Sequence, residues 1–277
     1  MNNNIILPSH ADTDMLMQEI KSVLFPEVFG PVSDGDFFGL LVRHINFALS
    51  ADAYQKNSAA VSRDSDALHK DSVAVSPDAD KVASRLIGML HSIGQLLRSD
   101  INAVVTNDPA VTSAFEVISC YPAFTAMLHY RVAHALLGLG VPLLPRIITE
   151  RAHSATGIDI HPAAQIGAAF GIDHGTGIVI GATAIIGTGV MIYQGVTLGA
   201  KNFARDAHGQ MIDVPRHPIV EDNVTIYSNT SLLGRIRIGH DSVIGGNLWI
   251  THDVPPYSHV RQSRPIRHIG FSDGDGI

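Results

Sequence analysis

Fifteen histidines in 277 residues are the first feature of this chain that could do chemistry. HExxH, paired CxxC and EF-hand patterns are absent, so no metal signature gathers them. Three histidines have a charged neighbour in the most regular half of the chain: His161 in IDIHPAA, His174 in IDHGTG and His217 in PRHP. Asp159 precedes His174 by fifteen positions. A carboxylate beside an imidazole suits general base catalysis, because it fixes the tautomer and stabilises the imidazolium. A lone Asp and His at this spacing are more often structural, so the pair takes its meaning from the scaffold that carries it. Cys120 is the only cysteine, which excludes an internal disulfide and a cysteine metal cluster. Its apolar surroundings, VISCYPAF, read as those of a buried structural thiol.

The scaffold shows itself as a period of six. Aliphatic residues fall at Ile160, Ile166, Ile172 and Ile178 and, after a slip of two, at Ile180, Ile186, Ile192 and Leu198. The count returns at Val220, Ile226, Leu232, Ile238, Ile244 and Ile250, often with Gly next. Neither a helix nor an alternating strand has this period. It predicts a parallel β-helix of three six-residue faces per coil, one aliphatic side chain per face pointing at the axis, coils stacked about 4.8 Å apart. With about eighteen residues per coil, Asp159 and His174 should lie on neighbouring coils near one edge. Leu198 and Val220 are 22 apart, which fits no whole number of coils, and the polar stretch 201–218 should loop out, a favoured place for a site. Pro255 and Pro256 end the stack, and the last residues, FSDGDGI, read as a flexible acidic tail.

The first half reads as packed helices. Met15, Ile20, Val23 and Leu24 keep helical spacing, and Val82, Leu86, Leu90, Ile93 and Leu97 form one apolar stripe. Ser76 and Pro77 offer a cap and first position for that helix, Asp108-Pro109 breaks the pattern, and helices resume through residues 111–118, 124–139 and 143–152. Residues 50–80, rich in Ala, Ser and Asp, suggest a loop or weak surface helix. The expected architecture is α+β: a helical domain over 1–154, a β-helix over 155–260 with an extruded loop at 201–218, and a tail over 261–277. A net charge of −7 gives no footprint for nucleic acid. No apolar run approaches the roughly 20 residues that span a bilayer, and the start MNNNIILPSHADTD is not a secretion signal, so a cytoplasmic location is expected. The Asn223 and Asn229 sequons are then read as chance.

The runs DIHPAAQIG, IDHGTGIVIG, VTLGA and RHP, with DINAVVTNDPAV earlier in the chain, resemble the serine O-acetyltransferase family of hexapeptide-repeat acyltransferases. The resemblance implies a left-handed coil, acetyl-CoA as co-substrate, L-serine as acceptor and no metal. It implies His174 as general base with Asp159 as its partner, Asp108 and Asp173 on the substrate ammonium, and Arg216 and His217 on the carboxylate, where an arginine fork suits paired hydrogen bonds. The pantetheine arm would pass Gly199 and Ala200, and Arg264 and Arg267 are candidates for the CoA phosphates. The loop is longer than the family's usual Gly-rich version, and the terminal segment lacks its GVPA element; both touch the CoA contacts more than the catalytic pair. Feedback inhibition by cysteine, a trimer or hexamer, and docking of a C-terminal Ile277 into O-acetylserine sulfhydrylase (cysteine synthase) are further implications. Three alternatives stay open: another hydroxyl acceptor such as homoserine or a sugar, a γ-type zinc hydratase using His161, His174 and His217, and a silent scaffold that only binds a partner through Ile277.

Overall fold

The computed structural model describes residues 10–32, 36–61, 79–203, 205–206, 208–210, 212 and 214–262, with side chains everywhere except 51–61. Seven helices precede the strands: α1 His10–Leu24, α2 Pro26–Phe29, α3 Phe37–Val61, α4 Ala79–Asn107, α5 Ala114–Cys120, α6 Pro122–Gly138 and α7 Leu144–Thr156. Along α4 the predicted stripe is buried from Val82 to Leu97 and continues through Asp100, Ile101 and Val104. Its proposed start at Ser76 and Pro77 lies outside the described residues. Helix α3 runs on through Val61, further than the sequence suggested; the segment SADAYQKNSAAV contains no Gly or Pro, and its alanines favour helix. Cys120 is exposed, correcting the expectation of burial, because α5 turns only Val117 and Ile118 inward.

Fourteen short strands follow, β1 to β14: Asp159–Ile160, Gln165–Ile166, Gly171–Asp173, Val179–Ile180, Ile185–Ile186, Met191–Tyr193, Thr197–Gly199, Ile219–Val220, Thr225–Ile226, Ser231–Leu233, Arg237–Ile238, Val243–Ile244, Trp249–Ile250 and His259–Val260. They stack as three parallel sheets, β1-β4-β7-β10-β13, β2-β5-β8-β11 and β3-β6-β9-β12-β14, the flanks A, B and C of a left-handed prism. Each hexad sends two side chains to the axis. One is the strand aliphatic, from Ile160 to Ile250, and the other a smaller residue two positions earlier, such as Ala164, Ala184, Val190, Val196 or Val224. Corners need positive φ, which Asn and Gly tolerate, and Asn223 and Asn229 have φ near 57° and 58°. Stacked corner side chains bond to one another, Asn223 to Asp241 and Asn229 to Asn247, so corner geometry accounts for both asparagines.

Register explains both irregularities of the period. Regular coils place partners 18 apart, as Ser231 and Trp249, whereas across the loop Thr197 pairs with Ser231, 34 on, so the excursion adds sixteen residues and the 22-residue gap is one face plus the loop. The first coil is two residues longer than the rule: Asp159 pairs with Val179. Those two residues lie in the corner after β3, where Ile178 takes the minor axial position and Ile180 the strand position.

The helices close the bottom of the prism. The first coil has backbone groups with no coil beneath them, and α4 and α6 supply partners. Tyr130 Oη donates to the Ala164 carbonyl at 2.7 Å, Arg131 donates to the Ile166 and Gly167 carbonyls at 2.6 Å each, and His134 Nδ1 lies 2.8 Å from the Pro162 carbonyl. Ser99 Oγ and Asp100 Oδ1 accept from the Ala169 and Phe170 amides, both at 2.9 Å. Asp100 and Arg131 pair through two parallel bonds of 3.0 and 3.1 Å. Burial pushes the Asp100 carboxyl up, against the opposing pull of Arg131.

Candidate active site

The lengthened corner is where the site begins. Asp173 closes β3 on flank C, and His174 follows with φ 56°, then Gly175 at 93° and Gly177 at 80°. A left-handed turn in a non-glycine residue costs free energy and persists where the surroundings impose it. Here it lifts the imidazole out of the prism: the His174 side chain is 74% exposed, with Nε2 3.7 Å from Asp173 Oδ1.

Helix α4 brings a second carboxylate to this flank. It ends at Asn107, and Asp108, with Pro109 behind it, turns the chain by accepting the Ala110 amide on Oδ1 at 2.8 Å. Oδ2 accepts the Tyr121 hydroxyl at 3.0 Å. Asp108 is buried, and its charge and that of Asp173 both reach the phenols of Tyr121 and Tyr193. Tyr193, beside Asp173 in register, stacks on Tyr227 at 4.9 Å. Two acids, an imidazole and two phenols thus share the C-to-A edge, although α4 and β3 lie more than 60 positions apart in sequence. Carboxylates in such a place suit a cation, and a neutral imidazole beside them could accept a proton.

A second set occupies the corner where flank A turns into flank B, at the root of the loop. Thr183 Oγ1 accepts the Arg216 and His217 amides at 2.9 and 3.1 Å, and Arg235 donates to the Thr183 and His217 carbonyls at 2.6 and 2.9 Å, fastening the returning loop. His217 Nδ1 accepts the Thr183 amide at 3.1 Å and lies 2.8 Å from its hydroxyl, so the ring proton resides on Nε2. Burial, then the charge of Arg216, pushes His217 down to about 4, which favours the neutral ring. Its ring covers Gly181, where a Cβ has no room. His161 Nδ1 accepts the Ala163 amide, and burial and Arg146 hold its basicity down. Gly199 ends β7 and Ala200 follows it, at the point where the loop leaves the prism.

Asp159 belongs to flank A. It opens the first coil and His174 closes that same coil, so the two are at one edge but not on neighbouring coils as the spacing suggested. No hydrogen bond or ion pair joins them within the chain. Asp159 instead lies 4.0 Å from Arg146 of α7, which also pairs with Glu150, and groups with Glu150 and His153. The carboxylate beside His174 is Asp173. Among the described residues that acidic cluster is the one grouping of potential metal ligands, and it contains none of the three histidines of the zinc alternative. Arg264, Arg267 and Ile277 lie outside the described residues. Sequence reasoning missed Tyr121, Tyr193, Thr183 and Arg235.

Comparison with known proteins gives this geometry its context. No family model matches the chain. A Synechococcus elongatus protein described as "Serine acetyltransferase, plasmid" is 41% identical over 281 residues, covering 98% of this chain and 86% of that one. The chain belongs to the serine acetyltransferase family. Among solved structures, serine acetyltransferase isoform 3 of Entamoeba histolytica, crystallised with cysteine, aligns with a TM-score of 0.72 at 34% identity, over 93% of this chain and 84% of that one. A serine acetyltransferase in complex with CoA aligns with a TM-score of 0.57 at 26% identity, over 90% and 97% of the two chains. As a serine acetyltransferase the protein moves the acetyl group of acetyl-CoA, its co-substrate, to the hydroxyl of serine, the entry to cysteine biosynthesis. Among the described residues no helix is long and apolar enough to cross a membrane.

Proposed function

We propose that the C-to-A edge is the serine acetyltransferase centre, with His174 as its general base. The observation that carries this reading is that Asp173 lies beside His174 while Asp108, bonded to Tyr121, shares the reach of that phenol with Asp173: two carboxylates suited to the serine ammonium and a base suited to its hydroxyl. His174 takes the proton from serine Oγ as that oxygen attacks the acetyl carbon. The C–S bond then breaks, and the imidazolium returns its proton to the CoA thiolate, with no acyl-enzyme. Asp173 orients the imidazole in the single chain, and Asp159 would do so on rearrangement of its contact with Arg146.

Arg216 and His217 hold the serine carboxylate in this proposal, the guanidinium supplying charge and the neutral imidazole an Nε2–H donor. They sit at the corner between flanks A and B and the acids at the C-to-A edge, so the site is completed when the first corner of one copy meets the second edge of another. A trimer supplies that arrangement, and the outward Val179 and Trp249 of flank A, 38% and 73% exposed, support a covered face. Pairing of trimers into a hexamer by the helical regions extends the same reading. The pantetheine arm follows the coil edge at Gly199 and Ala200, with Arg264 and Arg267 on the phosphates. Cysteine, bound in the Entamoeba relative, occupies the serine pocket as an inhibitor, and Ile277 engages the sulfhydrylase, in the cytoplasm. The domain division at 154/155 and 260/261 accompanies this assignment.

Thiol release from acetyl-CoA, measured with serine, homoserine and sugar acceptors, tests the proposal. Serine should be the preferred acceptor, and His174→Ala should lower the rate by about 10² to 10⁴-fold without changing the assembly. A near wild-type rate in His174→Ala would remove the assigned base.

A further inference from the structure

Tyr121 lies at the tight junction between α5 and α6, and its backbone and its side chain do separate things. The backbone ends one helix and starts the next, the N–H bonding to the Val117 carbonyl at 3.2 Å with φ −78° and ψ 126°. Nothing in that role needs a phenol oxygen. The hydroxyl reaches across the junction to Asp108 Oδ2 at 3.0 Å, while Ala110 N–H occupies Oδ1 at 2.8 Å.

We propose that the Tyr121 hydroxyl is a positioning group for serine, holding the Asp108 carboxylate in the plane and place from which it receives the substrate ammonium. The argument rests on the assignment of Asp108 made above and adds a residue to it. A carboxylate held by one donor at Oδ1 can still turn about its Cβ–Cγ bond; a second donor at Oδ2 fixes that rotation. The second donor also addresses a charge problem. Two carboxylates, Asp108 and Asp173, would share a substrate with one ammonium, so a neutral donor on Asp108 spreads charge that the ammonium leaves unmatched. The phenol suits this task because it keeps its proton. Loss of solvent, then the hydrogen bond and charge of Asp108, with Glu116 and Asp173 adding to them, push it up to about 12. Tyr121 is thus a donor at neutral pH, and its hydroxyl is bonded to a buried carboxylate. The short helix α5 keeps it there: Ser113 accepts the Glu116 amide, and Glu116 accepts from Thr112, a reciprocal cap that locks the segment between Asp108 and Tyr121.

The test is steady-state kinetics and serine calorimetry on the full chain as wild type, Tyr121→Phe, Asp108→Ala and the double variant. Phe keeps the ring and the junction, so the fold is retained, which thermal melting checks. Tyr121→Phe should raise KM and Kd for serine about tenfold, the scale of one hydrogen bond to a charged group, with kcat/KM falling through KM and KM for acetyl-CoA unmoved. In the Asp108→Ala background the same change should have no further effect, because the hydroxyl acts only through that carboxylate. If Asp108→Ala raises the serine constants and Tyr121→Phe does not, or if the two effects multiply in the double variant, the positioning role is overturned while the Asp108 assignment stands. If Asp108→Ala leaves serine binding unchanged, the assignment of Asp108 itself fails and the positioning role with it.

Discussion

His217 sits where chemistry and stability meet. Its ring is packed over Gly181 and its Nδ1 accepts the Thr183 amide, so protonation there must break a contact that folding made. Its folded pKa of about 4 lies below the unfolded value near 6.5, so the unfolded chain binds a proton first as pH falls. Stability supplied by the neutral ring is complete above about 6.5 and is lost progressively toward 4. His129 and His161, also held down by burial, act with the same sign. Denaturant unfolding between pH 7 and 4 should show this fall, and His217→Asn, whose amide oxygen can replace Nδ1 as acceptor, should flatten part of it; an unchanged slope would mean that His217 titrates normally. At this scale the sequence showed residue types more readily than their neighbours. PRHP and IDHGTG named the side chains, but Thr183 and Tyr121 act across 34 and 13 positions, a relation set by loop return and helix junction and invisible to any local pattern. Cys120 was misread because the seven-residue helix α5 that carries it has an outer face as well as an inner one.

The helical elements meet the coils through a polar seam, and the sequence held one clue to it: Arg131, a lone guanidinium in the apolar helix PAFTAMLHYRVAHALLG. A charge in such a place requires a buried partner. Asp100, two helical turns before Asp108, is that partner, and the pair fixes α4 against Phe170, three residues before Asp173. Asp100→Asn keeps the shape but leaves Arg131 without its counter-charge, an expected loss of about 3–5 kcal/mol and roughly 10 °C in Tm. Calorimetry checks the loss, and a Tm within 2 °C, or about 1 kcal/mol, of wild type would mean that the carbonyl bonds alone hold the seam. The strands themselves were legible almost residue by residue, since a period of six admits few readings. The lengthened corner at His174 was visible only as a slip of two, and its meaning came from seeing which side chain the extra residues lift outward.

For the whole molecule, the proposed assembly and tail separate two activities that share one chain. Deleting Ile277 should weaken binding of the sulfhydrylase at least tenfold in a direct titration while thiol release from acetyl-CoA with serine keeps its wild-type rate; equal affinity of the two forms would exclude the tail as the contact. The same solenoid raises a hazard that the chain answers. A stack of parallel strands with bare ends invites another stack onto it, and growth of that kind has no natural stop. Here the lower rim is spoken for by six side-chain bonds from α4 and α6, and the upper rim carries Pro255 and Pro256, which have no amide hydrogen to offer. The seam that fixes α4, and with it Asp108, against the coil carrying Asp173 therefore also covers the open edge on which a second stack could grow.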